Sequence, residues 1–369
     1  MIPVFQPAID QEEIDAVTEV LKSKWIGLGL KTEEFEKQFA KFIGMNYAVG
    51  LNSGTAALHL AVKALGIDSG EIIVPAITFV TTAFAATYNN AVPIFADVYE
   101  DTLNIDVDDI KRKITPKTKA IIPVHYGGHS AEMDEINEIA KEHNLKVIED
   151  AAHACGGKYK GRMCGSLSDI SCFSFHPVKN LATCDGGMLV TNDKDVDQKV
   201  KDLRWCGISK GTFERTKKKY SWYYEVTDVG YKFHMNDIIA AIALVQLKKL
   251  RKNNARREEI TKIYNENFQK LNWIETPVEK DYVESSHHNY VIKVAKRDKF
   301  IEFLSDNGIS TSVHYMPLHL QPVFKNMKAD VPVAEKVWKR IVTLPLYPDM
   351  TDKDVELVVK TVKDFGKFV

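Results

Sequence analysis

Apolar runs of strand length alternate with helical patterns through the first half of the chain, and nearly every run ends in a polar residue. Residues 47–51 are apolar and precede Asn52-Ser53-Gly54-Thr55, then a helical pattern over 56–65. Residues 71–74 precede the segment from Pro75 to Phe79 and a helix over 81–88. Strands are expected at 91–98 and 119–125, a helix at 132–143, and a strand at 146–148 that closes on Glu149-Asp150. This alternation implies an α/β fold with a mostly parallel sheet covered on both faces. Ligands of such sheets bind at the carboxyl ends of the strands. Ser53, Gly54, Thr55, Thr78, His125, Asp150 and Lys179 all follow apolar runs, so they are expected to converge.

Residues 169–192 carry the most informative variation on this pattern. A strand over 170–175 leads into a polar turn holding Lys179, then an Asp185-Gly186-Gly187 turn and a second strand over 188–190. A lysine in that position is either solvated at a loop tip or held in a cavity. In a cavity its ammonium pKa falls, and a neutral amine can attack a carbonyl. Asn52 to Thr55 offers backbone N–H groups, hydroxyls and the positive end of a helix, which suits a phosphate; taken alone it reads first as a capped helix start. Asp150 reads as a cap for residues 151–154 or as a carboxylate kept for a cation. Phe79 alone reads as a core aromatic, and His125 and His153 as structural histidines. His287, His288, Asn289 and Tyr290 look like a polar loop entering a strand. None of the histidines has metal-ligand spacing, so no metal is expected.

The flanking segments read as helices over 10–21, with Asp10 and Glu13 as a capping pair, and over 33–43, stopped by Gly44. A charged helix follows at 193–203. The Lys-, Arg- and Tyr-rich stretch 207–226 reads as a long loop, functional or at an interface. Beyond it lie an apolar helix over 238–250 continued by a charged one over 251–269, a helix over 299–307, an extended segment over 309–315 and a final helix from 351. A large domain over 1–250 and a small α+β domain over 251–369 are expected. Lys and Arg number 49 against 50 Asp and Glu, a net charge of −1. That balance leaves no electrostatic footprint for nucleic acid or an anionic membrane. No apolar run of about 18 residues suggests a membrane span, and residues 1–13 lack a signal-peptide pattern. The 5 cysteines are scattered without Cys-x-x-Cys, which reads as thiols in a reducing cytoplasm.

A phosphate cradle, a flat aromatic, a carboxylate and a lysine together describe what pyridoxal 5′-phosphate needs. The motifs that carry these residues are Asn52-Ser53-Gly54-Thr55-Ala56-Ala57, Pro75 to Phe79, Glu149 to Ala154, Ser174-Phe175-His176-Pro177-Val178-Lys179, Asp185-Gly186-Gly187, Gly230-Tyr231-Lys232-Phe233, and His314-Tyr315 with residues 344–348. In that order the chain resembles the DegT/DnrJ/EryC1/StrS sugar aminotransferases, of the aspartate-aminotransferase-like fold (fold type I). The resemblance implies that Lys179 bonds the cofactor and shuttles protons, that Asp150 pairs with its ring nitrogen, that Phe79 stacks on the ring and that His153 lies beside it, where many relatives have glutamine. Gly54, Thr55 and Ser174 would bind its phosphate. A homodimer with its active site at the interface is implied, with Lys232 or His234 of GYKFHMND reaching into the neighbouring subunit where asparagine is usual. His314 and Tyr315 would belong to the substrate segment.

His153, the Ser174-Phe175-His176 triplet, the spacing from Lys179 to Asp185 and residues 121–126 resemble the branch that aminates C4 of UDP-4-keto sugars. The implied reaction transfers an amino group from glutamate to a nucleotide-linked 4-keto-6-deoxy sugar for polysaccharide or glycan synthesis. C3 amination of a dTDP-3-keto-6-deoxyhexose is the near alternative. A dehydratase on the same scaffold would have histidine in place of Lys179. A regulatory protein keeping the fold would have a degraded site.

Overall fold

The computed structural model describes residues 1–209 and 223–368, so most of the stretch 207–226 lies outside the described residues. The strands of the large sheet are β1 (Tyr47–Leu51), β2 (Glu71–Pro75), β3 (Val92–Ala96), β4 (Thr118–Ile121) and β5 (Lys146–Asp150). After a short hairpin of β6 (Lys158–Tyr159) and β7 (Arg162–Met163) come β8 (Ile170–Ser174) and β9 (Gly187–Thr191). They form a 7-stranded sheet in the order β1-β9-β8-β5-β4-β2-β3. All pairs are parallel except those of β9, which runs against both β1 and β8. The turn between β8 and β9 is therefore the one containing Lys179, with Ser174 opposite Gly187.

Alternate residues of each strand feed two apolar layers, as burial on both faces requires. Val49, Ile72, Val74, Ile148, Cys172 and Leu189 face one core. Ala48, Ile73, Val147, Phe173 and Val190 face the other. In that second layer helix α1 (Gln11–Ser23) is followed by α2 (Leu30–Ile43), whose Phe35 and Phe39 meet Phe173 and Phe175 at ring separations of 5.0 to 5.4 Å. A third core, around Ile260, Tyr264, Phe268, Tyr290 and Ile292, belongs to the C-terminal part and also takes in Ile2. Its sheet consists of β10 (Ile274–Glu275), β12 (Tyr290–Val294) and β13 (Ile341–Leu344), while β11 (Val283–Glu284) pairs with β6.

Several elements differ from the sequence reading. Helix α2 begins at Leu30 and not 33, because Asp237 caps it from a distance: its Oδ1 accepts from the N–H groups of Gly29 and Thr32, both at 3.0 Å, and from the Thr32 hydroxyl at 2.8 Å. The segment 119–125 is a strand only as far as Ile121. Val124 then pairs singly with Asp150 before a turn of 3-10 helix, Tyr126–Gly128. An unexpected helix, Val107–Lys113, is capped by Asp106, which accepts from the N–H of Asp108 at 2.8 Å. Residues 309–315 make single bridges to Ile2 and Thr343 and no strand. The apolar and charged halves read at 238–250 and 251–269 form one 32-residue helix, Asp237–Phe268.

Phe39 is fully buried at the centre of the aromatic cluster. Phe39→Ala is expected to lower unfolding free energy by about 3–5 kcal/mol, read from urea denaturation of the full chain.

Candidate active site

The carboxyl ends of β1, β2, β5 and β8 open on one cavity of about 370 Å³. Its floor is the start of helix α3 (Gly54–Ala64). Ser53 is extended and its hydroxyl accepts from the N–H of Ala56 at 3.1 Å, so the helix start is capped from within. That leaves the N–H groups of Gly54 and Thr55 without a partner among the described residues, at the positive end of the helix. Packing here demands glycine. A Cβ on Gly54 would stand 2.8 Å from Cβ of Ser174, and one on Gly187 would stand 2.4 Å from the Ser53 carbonyl. The Thr55 and Ser174 side chains line the same hollow. Two hydroxyls and unpartnered N–H groups at a helix N-terminus form a donor set suited to a phosphate.

Asp150 closes β5 and is buried, at 4% exposure. Its Oδ2 accepts from the Thr82 hydroxyl at 2.9 Å and its Oδ1 from the N–H of Ala152 at 3.2 Å. Burial pushes its pKa above the ordinary carboxylate value, and the Thr82 bond pulls it back. Behind it His125 Nδ1 accepts from the N–H of Ala131 at 3.1 Å. Its Nε2 lies 3.0 Å from Glu149 Oε2, a close contact without hydrogen-bond alignment.

Lys179 sits on the cavity wall, half-buried as a whole residue, with its amine enclosed. Burial lowers its pKa to about 8, partly opposed by the charge of Asp150. The turn that carries it is pinned. The Lys179 N–H donates to the His176 carbonyl at 2.8 Å, and the Asn180 amide donates to the Ser286 carbonyl at 2.7 Å and to Asn254 at 2.9 Å. Asn180 in turn contacts Nδ1 of His288 at 3.1 Å. The loop tip alternative is thereby excluded by geometry.

The remaining wall is aromatic. Phe79 is 54% exposed, which no core phenylalanine would be, and its ring faces the cavity 6.1 Å from that of Tyr315. His153 accepts from the N–H of Gly127 at Nδ1, at 3.4 Å, so Nε2 carries the proton toward the Tyr315 hydroxyl at 3.3 Å. Burial, then Lys179 and His314, hold His153 neutral, well below its ordinary pKa. His314 is lowered to about 4 by burial and by Lys179, and its Nδ1 meets the Thr343 hydroxyl at 2.8 Å.

Gly54, Thr55, Phe79, Asp150, His153, Ser174, Lys179, His314 and Tyr315 thus meet in one cavity. Lys232 and His234 do not line it within the chain. The Lys232 amine lies over the Trp205 ring, 3.1 Å from its centroid, and His234 packs edge-on to the same ring at 4.3 Å. Residues missed from sequence are Thr82, Asn180 and His288. The spacing of Thr78 and Thr82, one helical turn apart, was a trace of the first. Among the described residues no cluster of three or more His, Cys, Asp or Glu could hold a metal ion.

The model of the DegT/DnrJ/EryC1/StrS aminotransferase family matches residues 7–363. SpsC, a spore coat polysaccharide biosynthesis protein of Bacillus subtilis, is 44% identical over 378 residues, covering 99% of this chain and 97% of SpsC. A putative sugar aminotransferase of Streptococcus pneumoniae, Spr1654, in its PMP form, superposes with a TM-score of 0.94 at 32% identity and 100% coverage of both chains. PseC of Helicobacter pylori, an aminotransferase involved in the biosynthesis of pseudoaminic acid, gives 0.94 at 30% identity, again over 100% of both chains.

The depressed amine of Lys179 is directly measurable. In the ¹³C-reductively methylated apoprotein one lysine resonance is expected to titrate near pH 8, and Lys179→Arg is expected to remove it. The unfolded chain binds more protons than the folded one between about 8 and 10.5, so Lys179 makes stability rise with pH across that window.

Proposed function

The chain belongs to the DegT/DnrJ/EryC1/StrS aminotransferase family, pyridoxal-phosphate-dependent enzymes that act on sugars, and on that premise we propose that it transfers the amino group of glutamate to C4 of a nucleotide-linked 4-keto-6-deoxy sugar. The product would be a 4-amino sugar for a surface polysaccharide or glycan. The observation that carries this reading is the meeting of a depressed lysine, a buried carboxylate and an anion cradle in one cavity. The C4 choice is supported by the motifs around His153, Ser174 to His176 and residues 121–126, which resemble the C4 branch, and the polysaccharide setting by the likeness to SpsC.

The residues present fit the cofactor. The hydroxyls of Thr55 and Ser174 and the N–H groups of Gly54 and Thr55 would take its phosphate, Phe79 would cover one face of its ring, and His153 would stand at its edge. Bound there, pyridoxal phosphate supplies a carbonyl for the migrating nitrogen and a sink for the electrons left when a proton is removed. Lys179 would hold the aldehyde carbon and, once displaced by glutamate, take the proton from the glutamate α-carbon. It would later deliver a proton to the sugar carbon that gains nitrogen. A lowered pKa suits both tasks, because the amine is available neutral near the working pH. Asp150 would hold negative charge against the ring nitrogen. His314 and Tyr315 would contact the substrate.

Lys232 and His234 lie outside the cavity of their own chain, which agrees with delivery to a neighbouring subunit in a dimer. A division into residues 1–250 and 251–369 completes the reading. The separate core around Tyr264 and Phe268 supports it, and Ile2 would tie the N-terminus to the smaller part. Among the described residues no helix is long and apolar enough to cross a membrane.

The test is turnover with glutamate on a panel of nucleotide-linked 3-keto and 4-keto sugars. Amination of 4-keto substrates is expected, and a preference for 3-keto substrates would overturn the C4 assignment. Lys179→Ala is expected to abolish both turnover and the absorbance at about 410 nm of the cofactor-loaded protein.

A further inference from the structure

We propose that Thr82, backed by Thr78, is a positioning residue that keeps Asp150 ionised and oriented. The inference rests on the reading that Asp150 faces the cofactor's ring nitrogen. Thr78, Thr82 and Asp150 are buried, at 2%, 0% and 4% exposure. The Thr82 hydroxyl donates to Asp150 Oδ2 at 2.9 Å, and Thr78 and Thr82 hydroxyls lie 2.9 Å apart. A hydroxyl has one proton to give, and an ionised carboxylate only accepts. Thr82 spends its proton on Asp150, so in the pair with Thr78 it must accept. The chain then has one direction, Thr78 to Thr82 to Asp150, and each donor polarises the next.

This polarity answers a problem set by the surroundings. The titratable groups facing Asp150 are Lys179 on the turn after β8, His125 after β4, Cys172 on β8 and Tyr315 from the C-terminal part. None is a permanent cation. Lys179 is itself driven toward the neutral amine, and His125 accepts an N–H at Nδ1. Burial pushes the Asp150 carboxyl toward its neutral form. The charge therefore depends on the donors fixed at its two oxygens, Thr82 at Oδ2 and the N–H of Ala152 at Oδ1. Thr82 is also tied to the aromatic platform, because its N–H donates to the Phe79 carbonyl at 3.1 Å. The element α4 (Thr81–Thr87) thus sets the carboxylate and the ring platform together.

The experiment is the affinity of the full-length apoprotein for pyridoxal phosphate, titrated by fluorescence between about pH 5 and 8. It compares wild type with Thr82→Val, Thr82→Ser, Thr78→Val and Asp150→Asn. An acid whose pKa rises becomes neutral at higher pH, so losing the Thr82 donor should move the acid limb of binding upward. Thr82→Val is expected to shift it by about one unit and weaken binding about tenfold at the acid end, the size of one hydrogen bond to a charge. Thr82→Ser is expected to follow wild type, and Thr78→Val to shift the limb in the same direction by less. In an Asp150→Asn background Thr82→Val should add no shift. A Thr82→Val limb that superimposes on wild type, while Asp150→Asn weakens binding, overturns this inference and leaves the role of Asp150 standing. If Thr82→Val does not fold, a Thr78→Val limb identical to wild type overturns it instead. If Asp150→Asn binds as wild type does, the reading of Asp150 fails and the inference fails with it.

Discussion

Burial acts in opposite directions on the two charged groups of this site, and much of the surrounding architecture follows from that. Taking Asp150 out of water raises its pKa, and taking Lys179 out of water lowers its own. Each charge partly relieves the other, but neither is locked into an ion pair. Burial shifts the lysine toward the neutral amine, and the carboxylate oxygens accept from the Thr82 hydroxyl and the N–H of Ala152. A direct salt bridge would have held both groups ionised and quenched the nucleophile.

The scaffold places these groups by one departure from the parallel pattern. Strand β9 runs against β1 and β8, and so returns the chain directly beside the strand it has just left. The connection between β8 and β9 is the turn of 175–186, which holds Lys179 at the carboxyl end of β8, in the same cavity as Asp150. The same return presses Gly187 against Ser53 and sets Ser174 against Gly54, closing the anion cradle. Lysine and cradle are consequences of a single packing event.

Much of this was legible in the sequence. The Asp10–Glu13 capping box, the Gly44 stop and the bounds of β1 are local, and local propensity fixes them. Ser53, Gly54, Thr55, Thr78, Asp150 and Lys179 follow apolar runs, which set them near strand ends, and all of them line the cavity. What escaped was set by distant partners. The start of α2 depends on Asp237, and the anchoring of Lys179 depends on Asn180 with Ser286, Asn254 and His288. The exposure of Phe79 and the burial of Thr82 are properties of the cavity and the packed sheet, to which no window of sequence refers.

An aminotransferase working through Lys179 would remove an amino group from its donor before any sugar is involved. Mixing the cofactor-loaded protein with glutamate in the absence of sugar, and counting the 2-oxoglutarate released, tests it most directly. About one equivalent per loaded site is expected from wild type and none from Lys179→Ala. No 2-oxoglutarate from wild type, or as much from Lys179→Ala, would contradict it.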